Sequence, residues 1–344
     1  MHRLAALPGD PGEGDAVLVE QGSLPALLLT SADSDLSLIA QRLAAAADSP
    51  WMRGLNLAAL SHPAAIDHYI RSSLASTRLV LVRLLGGRGH WSYGLEQLRD
   101  WAAQSPERAL LVLGGTVDGA QELADLSTVP ASTALALASC LRHGGPENVD
   151  AVLDWCQHWI EGHSAAAPEP QPQPDPLCFD WQEDPGPAVG VVAYRALWSS
   201  GDTALLEQIA TGLRAAGLCP RILLVSGLRD PALQQAVRDH FQQASVEAVL
   251  CCTGFASVQA DRASDGAPLW QQLGVPVIQL LISSGSQERW QSSSVGLSPL
   301  DLAMQVALPE LDGRLMARIG GFKELAQKDE SLQCAIQRYQ PDPA

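Results

Sequence analysis

The feature that most constrains this chain is an alternation of two kinds of segment. Short runs rich in Val, Leu and Ile are separated by longer stretches with apolar residues at helical spacing. Strands buried on two sides read as continuous apolar runs, so the pattern calls for mostly parallel sheets covered by helices on both faces. Strands are expected near 3–7, 26–30, 54–58, 79–85 and 109–113. Helices are expected near 35–47, 63–76, 93–104, 121–126, 131–142 and 147–162. Later in the chain the strands are placed near 189–194, 221–225, 248–252 and 275–281, and the helices near 204–216, 231–244, 269–273 and 299–306.

One stretch, Ser164 to Pro187, breaks the alternation with the run AAAPEPQPQPDP. Alternating prolines remove amide donors and favour an extended backbone, so this segment reads as a linker. The expected architecture is therefore α/β. Two doubly wound, flavodoxin- or Rossmann-like domains, 1–163 and 188–344, are joined by a proline-rich linker over 164–187. Ala165 to Asp175 offers little apolar surface to bury and is expected to be mobile and open to proteases. A length of 344 residues with 47% hydrophobic content is sufficient for two cores.

Local punctuation agrees with the periodicity. Pro63 falls at a first helical position, and GGPEN (Gly144–Asn148) ends one helix and starts the next. Asp230-Pro231 and Ser298-Pro299 each pair a capping side chain with proline in the first turn, and Asp202 reads as a further N-cap.

The net charge of −16 argues against a nucleic-acid backbone or an anionic membrane surface as partner. The 7 cysteines include no C-x-x-C, which points to a reducing compartment. No signal-peptide pattern and no membrane-length apolar run is seen, and a cytoplasmic chain is expected.

In open α/β sheets, ligands bind outside the carboxyl ends of the strands. Four loops then stand out. The first, RLLGGRGHWSYG (Arg83–Gly94), concentrates arginine, histidine and aromatics among glycines. Arg88 suits a bidentate bond to a carboxylate, and Trp91 and Tyr93 offer flat faces to a conjugated ring. His90 lacks ligand companions nearby. A tight turn whose aromatics pack on the next helix is the competing explanation, and both stand at this point. The second loop, YRALWSSGDT (Tyr194–Thr203), places Arg195 directly after an apolar strand. The third, CTGFAS, contains Thr253 and Phe255 and also reads as a strand-ending turn. The fourth, SSGSQERW (Ser283–Trp290), presents hydroxyls and amides either to an anion or to its own helix start. Glu310 and Asp312 are close carboxylates that hold either a cation or, as preferred here, the turn before Gly313.

No Walker-type phosphate loop, no G-x-G-x-x-G in frame, no H-E-x-x-H and no G-x-S-x-G is present. His62 and His68 fall on different sides of a helix.

Taken in order, VRLLGGRGHWSYG (Val82–Gly94), STVP (Ser127–Pro130), GGPEN, YRALWSSGDT, TGFA (Thr253–Ala256) and GLSPLDLAMQVALPELDGR (Gly296–Arg314) resemble stretches of the large subunit of aerobic cobaltochelatases, the CobN family. The resemblance runs along essentially the whole chain, as the N-terminal region of a longer subunit. His90 departs from the bulky aromatic that the family pattern carries. The resemblance implies ATP-dependent insertion of cobalt into hydrogenobyrinic acid a,c-diamide during cobalamin synthesis, with cobalt as the substrate metal. It implies that ATP is used by AAA+ and integrin-like partner subunits and not bound here, and it assigns no catalytic residue and no metal ligand in this chain. The residues it implies in corrin-precursor binding are Arg83, Arg88, His90, Trp91, Tyr93, Tyr194, Arg195, Thr253 and Phe255. Two alternatives stay open: a tetrapyrrole binder like the magnesium chelatase large subunit, and a non-catalytic cap or docking module of a split chelatase.

Overall fold

The computed structural model describes residues 18–46, 50–257 and 268–342, so the strand expected near 3–7 lies outside the described residues. Four strands form a parallel sheet: β1 (Ala26–Thr30), β2 (Met52–Asn56), β3 (Leu79–Leu84) and β4 (Ala109–Gly114), in the order β2-β1-β3-β4. Successive side chains of a strand point to opposite faces, and both faces here are apolar. Leu28, Leu81 and Leu111 pack under α1 (Asp33–Ala46), while Leu27, Val80 and Val112 pack on the other side with α2 (Pro63–Ser73) and α3 (Ser92–Ala103). After α4 (Ala120–Ala124), α5 (Ala131–His143) and α6 (Pro146–Ile160) complete the first of these layers.

The second sheet has seven strands and is mixed. Its strands are β5 (Leu177–Phe179), β6 (Ala188–Tyr194), β7 (Cys219–Val225), β8 (Ala248–Cys251), β9 (Val277–Ser283), β10 (Leu315–Asp329) and β11 (Cys334–Pro341). The order is β11-β10-β9-β8-β6-β7-β5. The strands β7, β6, β8, β9 and β10 run parallel, and β5 and β11 are antiparallel at the two edges. Two helices, α7 (Arg195–Ser199) and α8 (Ala204–Ala215), cover one face, and α9 (Pro231–Gln243) and α10 (Leu269–Leu273) cover the other.

Several local expectations hold. Pro63 opens α2, Pro146 opens α6 after Gly144 and Gly145 at φ +66° and +83°, and Asp230 Oδ1 accepts the Ala232 amide at 2.8 Å. Asp202 differs. The residue preceding α8 is Thr203, and buried Asp202 instead accepts the Tyr339 amide of β11 at 2.9 Å.

The expected linker is not free. Buried Asn148 of α6 donates to the Gln171 carbonyl and accepts the Gln171 amide, both at 2.9 Å, as a neighbouring strand would. Six residues further on, β5 pairs with β7, where an edge position tolerates the flanking prolines. Part of the expected linker thus has specific partners, because a side-chain amide supplies the bonds that proline-rich backbone cannot supply to itself.

The β10–β11 hairpin is the largest element that periodicity does not reveal. Its strands mix Gly, Lys, Glu and Gln with apolar residues, so no apolar run marks them. The hairpin edges the second sheet, yet Leu332, Cys334 and Ile336 belong to the core beneath the first.

Candidate functional site at the strand ends

In each sheet the chain reverses its direction of travel beside the first long strand. In the first sheet β2 and β3 flank β1; in the second β7 and β8 flank β6. Such switch points part the loops at the carboxyl ends and leave a crevice for ligands. The sequence-derived residues fall at these two places.

At the first crevice, Ser31 Oγ accepts the Leu85 amide at 3.1 Å and binds the loop after β3 to the end of β1. Arg88 is exposed, with Nη2 3.7 Å from Glu96 Oε1, a long surface pair that leaves its charge largely available. His90 is exposed and its ring lies across Gly86, where an added Cβ would stand 1.7 Å from the ring. Tyr93 is 37% exposed and donates to Asp67 Oδ1 at 2.9 Å. That bond holds the phenol above its ordinary pKa, with desolvation adding to it.

Two of the candidate residues of this loop face inward. Trp91 is buried in the core under α2 and α3, with Nε1 donating to the Leu60 carbonyl at 2.9 Å. Its indole also fills the space where a Cβ at Gly94 would lie, 2.3 Å away. Arg83 is buried in an ion pair with Asp35 and donates to the Leu141 carbonyl at 3.3 Å. The expected outward roles of Trp91 and Arg83 therefore give way to packing and to a buried charge pair that ties β3 to α1 and α5.

At the second crevice, the Tyr194 hydroxyl donates to the Gly254 carbonyl at 2.9 Å, joining the ends of β6 and β8, and burial raises its pKa. Arg195 donates to the carbonyls of Gln173 and Pro174 at 3.3 and 3.0 Å. Phe255 holds φ at +63°, a region that non-glycine residues seldom occupy. Its amide donates to Met304 at 2.9 Å, within the π-helical turn Ala303–Ala307, and the exposed Arg229 guanidinium stands 5.2 Å over its ring. Thr253 is buried, and its carbonyl accepts from Arg314 at 2.9 Å.

Arg314 organises this crevice and was not among the candidates. Its guanidinium donates to Thr253, Phe255 and Gln279 oxygens at 2.9, 2.9 and 2.8 Å and pairs with Asp312 at 2.5 Å. Asp312 also accepts the Ser257 amide, at 2.8 Å to one oxygen. Its lone pairs are thus occupied by protein donors, and Glu310 is exposed. The visible signal was the terminal Asp-Gly-Arg of the Gly296–Arg314 motif, an acid and a base kept close by a glycine turn. In the fourth loop, Ser286 Oγ caps the following helix, accepting from Arg289 at 3.2 Å, and the Ser284 amide meets Asp301 Oδ2 at 3.2 Å. Those groups serve an internal carboxylate and a helix start. No group of three His, Cys, Asp or Glu side chains converges on a metal position among the described residues, and no helix there is long and apolar enough to cross a membrane.

Fold and loops together define an α/β chain with a topological switch point, and a cluster of polar and aromatic loop residues, at the strand ends of each sheet. Comparison with known proteins gives the class a family. The CobN/magnesium chelatase family model matches residues 138–344. The aerobic cobaltochelatase subunit CobN of Sinorhizobium sp is 31% identical over 364 residues, covering 99% of this chain and 28% of that protein. The CobN subunit of Pseudomonas aeruginosa is 32% identical over 360 residues, with the same 99% and 28% coverage. The chloroplastic magnesium-chelatase subunit ChlH of Oryza sativa subsp. indica is 33% identical over 141 residues, 39% of this chain and 10% of that one. The catalytic subunit of cobaltochelatase from Mycobacterium tuberculosis shares the fold, with a TM-score of 0.71 and 24% identity over 92% of this chain and 26% of that one. The chain belongs to the CobN/magnesium chelatase family. It spans 28% of the length of the two CobN subunits.

Proposed function

We propose that this chain forms the N-terminal part of the large subunit of an ATP-dependent cobaltochelatase and helps to bind hydrogenobyrinic acid a,c-diamide for cobalt insertion in cobalamin biosynthesis. The observation that carries this reading is extent: the cobaltochelatase subunits align with 99% of the chain and the magnesium-chelatase subunit with 39%. In this reading cobalt is the substrate metal and AAA+ and integrin-like partner subunits use the ATP. The remainder of the large subunit completes the site, and the assembly is cytoplasmic. The segments 1–163 and 188–344 are read as two flavodoxin- or Rossmann-like domains joined through 164–187; a sheet built within the first segment and another built mainly from the second, edged by β5 of the joining segment, support that division.

Arg88 and Tyr93 supply the accessible cation and aromatic edge at the first crevice, and His90 lies beside them. Tyr194, Arg195, Thr253 and Phe255 shape the second. The test is Arg88→Ala. A charge-assisted hydrogen bond to a substrate carboxylate is worth roughly ten- to a hundredfold in affinity, whereas an exposed loop arginine adds little to folding. Precursor binding should weaken while the melting temperature stays put, and Arg88→Lys should recover only part of the loss. Unchanged binding by a folded Arg88→Ala protein overturns the role of this loop, and tighter binding of protoporphyrin than of the corrin precursor overturns the cobalt assignment.

A second reading, a non-catalytic cap or docking module, draws on a specific observation: Arg83, Trp91 and Thr253 are spent on internal contacts. It predicts no precursor binding by this chain alone but measurable association with the rest of the subunit.

A further inference from the structure

Arg142 and His143 at the end of α5 and Arg195 at the start of α7 are gathered where the first half of the chain touches the second. The glycines after α5 press directly on α7. The Gly145 amide donates to the Ser199 carbonyl at 3.5 Å, and a Cβ on Gly144 would stand 2.6 Å from Ser199 Cβ. A Cβ on Gly145 would stand 3.4 Å from the side-chain amide of Gln173, whose own carbonyl accepts from Arg195. Arg142 donates to the Gly114 carbonyl, the last residue of β4, at 3.2 Å. The cluster therefore lies at the carboxyl ends of β4 and β6, one strand from each sheet.

Two of the three groups have no carboxylate partner among the described residues. Among the described residues Arg142 has no carboxylate partner, and the imidazole of half-buried His143 makes no hydrogen bond. The nearest carboxylate to Arg195 is Asp175, at 3.8 Å, and neighbouring Arg83 is already matched by Asp35. Burial, then the charges of Arg142 and Arg195, hold the His143 imidazole below the usual histidine range. Burial, then Arg83, lowers Arg142. Gathering guanidinium charges out of water opposes folding unless an anion relieves the repulsion, and a net charge of −16 makes such a concentration of arginines unusual in this chain.

We propose that Arg142, His143 and Arg195 form an oxyanion-binding site between the two halves, taking a carboxylate or phosphate group of a small-molecule ligand. Guanidinium forks match either group bidentately, and the imidazole adds a third donor. Nothing in the site depends on a metal or on the loop that carries Arg88.

Isothermal titration of the 344-residue chain with citrate and with pyrophosphate tests this. At least one probe should bind, and its affinity should fall about tenfold or more in Arg142→Gln and in His143→Gln, with circular dichroism unchanged. Preference for citrate identifies a carboxylate-bearing ligand, and preference for pyrophosphate a phosphorylated one. Binding of neither probe overturns the proposal, as does wild-type affinity in His143→Gln. That second variant keeps the test decisive if Arg142→Gln fails to fold, since the His143 imidazole makes no hydrogen bond among the described residues.

Discussion

The Gly54 amide donates to the Leu332 carbonyl at 2.9 Å, so the second strand of the first sheet is held by the tip of the hairpin that edges the second. Contact is close enough to exclude a side chain. A Cβ at Gly54 would stand 2.8 Å from Leu36 Cδ2 and 3.3 Å from Leu332 Cδ1. Gly54→Ala should destabilise the protein by about 1–3 kcal/mol through overpacking. Gly87→Ala, with nothing within 4 Å of the added carbon, should be nearly neutral. Urea denaturation of the two variants side by side checks the contrast.

Arg314 and Asp312 pair with no exposed side-chain surface on either. Removing one partner leaves the other charge buried and unmatched, so Arg314→Met should cost about 3–5 kcal/mol. The double variant Arg314→Met/Asp312→Leu should recover part of that loss. A double-mutant cycle in denaturant reads the coupling, and additive losses contradict the geometry.

Trp91 and Arg88 stand three residues apart in sequence and should behave oppositely. Trp91→Ala opens the core under α2 and α3 and strands the Leu60 carbonyl, which should lower stability by about 3–5 kcal/mol. Arg88→Ala should leave the melting temperature unchanged. Calorimetry on both variants decides whether the loop packs as described.

Burial raises the Asp202 carboxyl above its ordinary value of 3.8, against smaller lowering contributions from the Tyr339 amide, Arg338 and Lys323. The folded state then holds this proton more tightly than the unfolded chain does. The cost of the buried charge is absent below pH 3.8 and is incurred in full once pH has risen past the shifted value. Asp202→Asn keeps an oxygen for the Tyr339 amide and should raise the melting temperature at neutral pH. The gain should fade as pH falls through that window, and a gain independent of pH excludes this carboxyl as the source.

Asn148 holds both backbone groups of Gln171. Asn148→Ala should release the proline-rich stretch, and limited proteolysis should then cut within 165–175 faster than in the wild type. Equal cleavage rates mean that these two bonds do not secure the segment.

What the sequence determined by itself was local. Apolar runs specified the central strands because strands buried on two faces need nothing but apolar side chains, and Pro63, Pro146 and Asp230 marked helix starts through their own backbone chemistry. The loops at the ends of β3, β6 and β8 were legible for the same reason, since their residue types suit no ordinary connection. Only the tertiary structure decided which of those side chains face outward. Arg83 and Trp91 differ from Arg88 and Tyr93 not in type but in whether Asp35 and Leu60 stand within reach, and those partners lie far away along the chain. The same holds for Arg314, for Asp202 beneath β11, and for a hairpin whose apolar residues bury themselves in the other sheet's core. Charges and hydrogen bonds become specific only when distant segments meet, and no periodicity records where that happens.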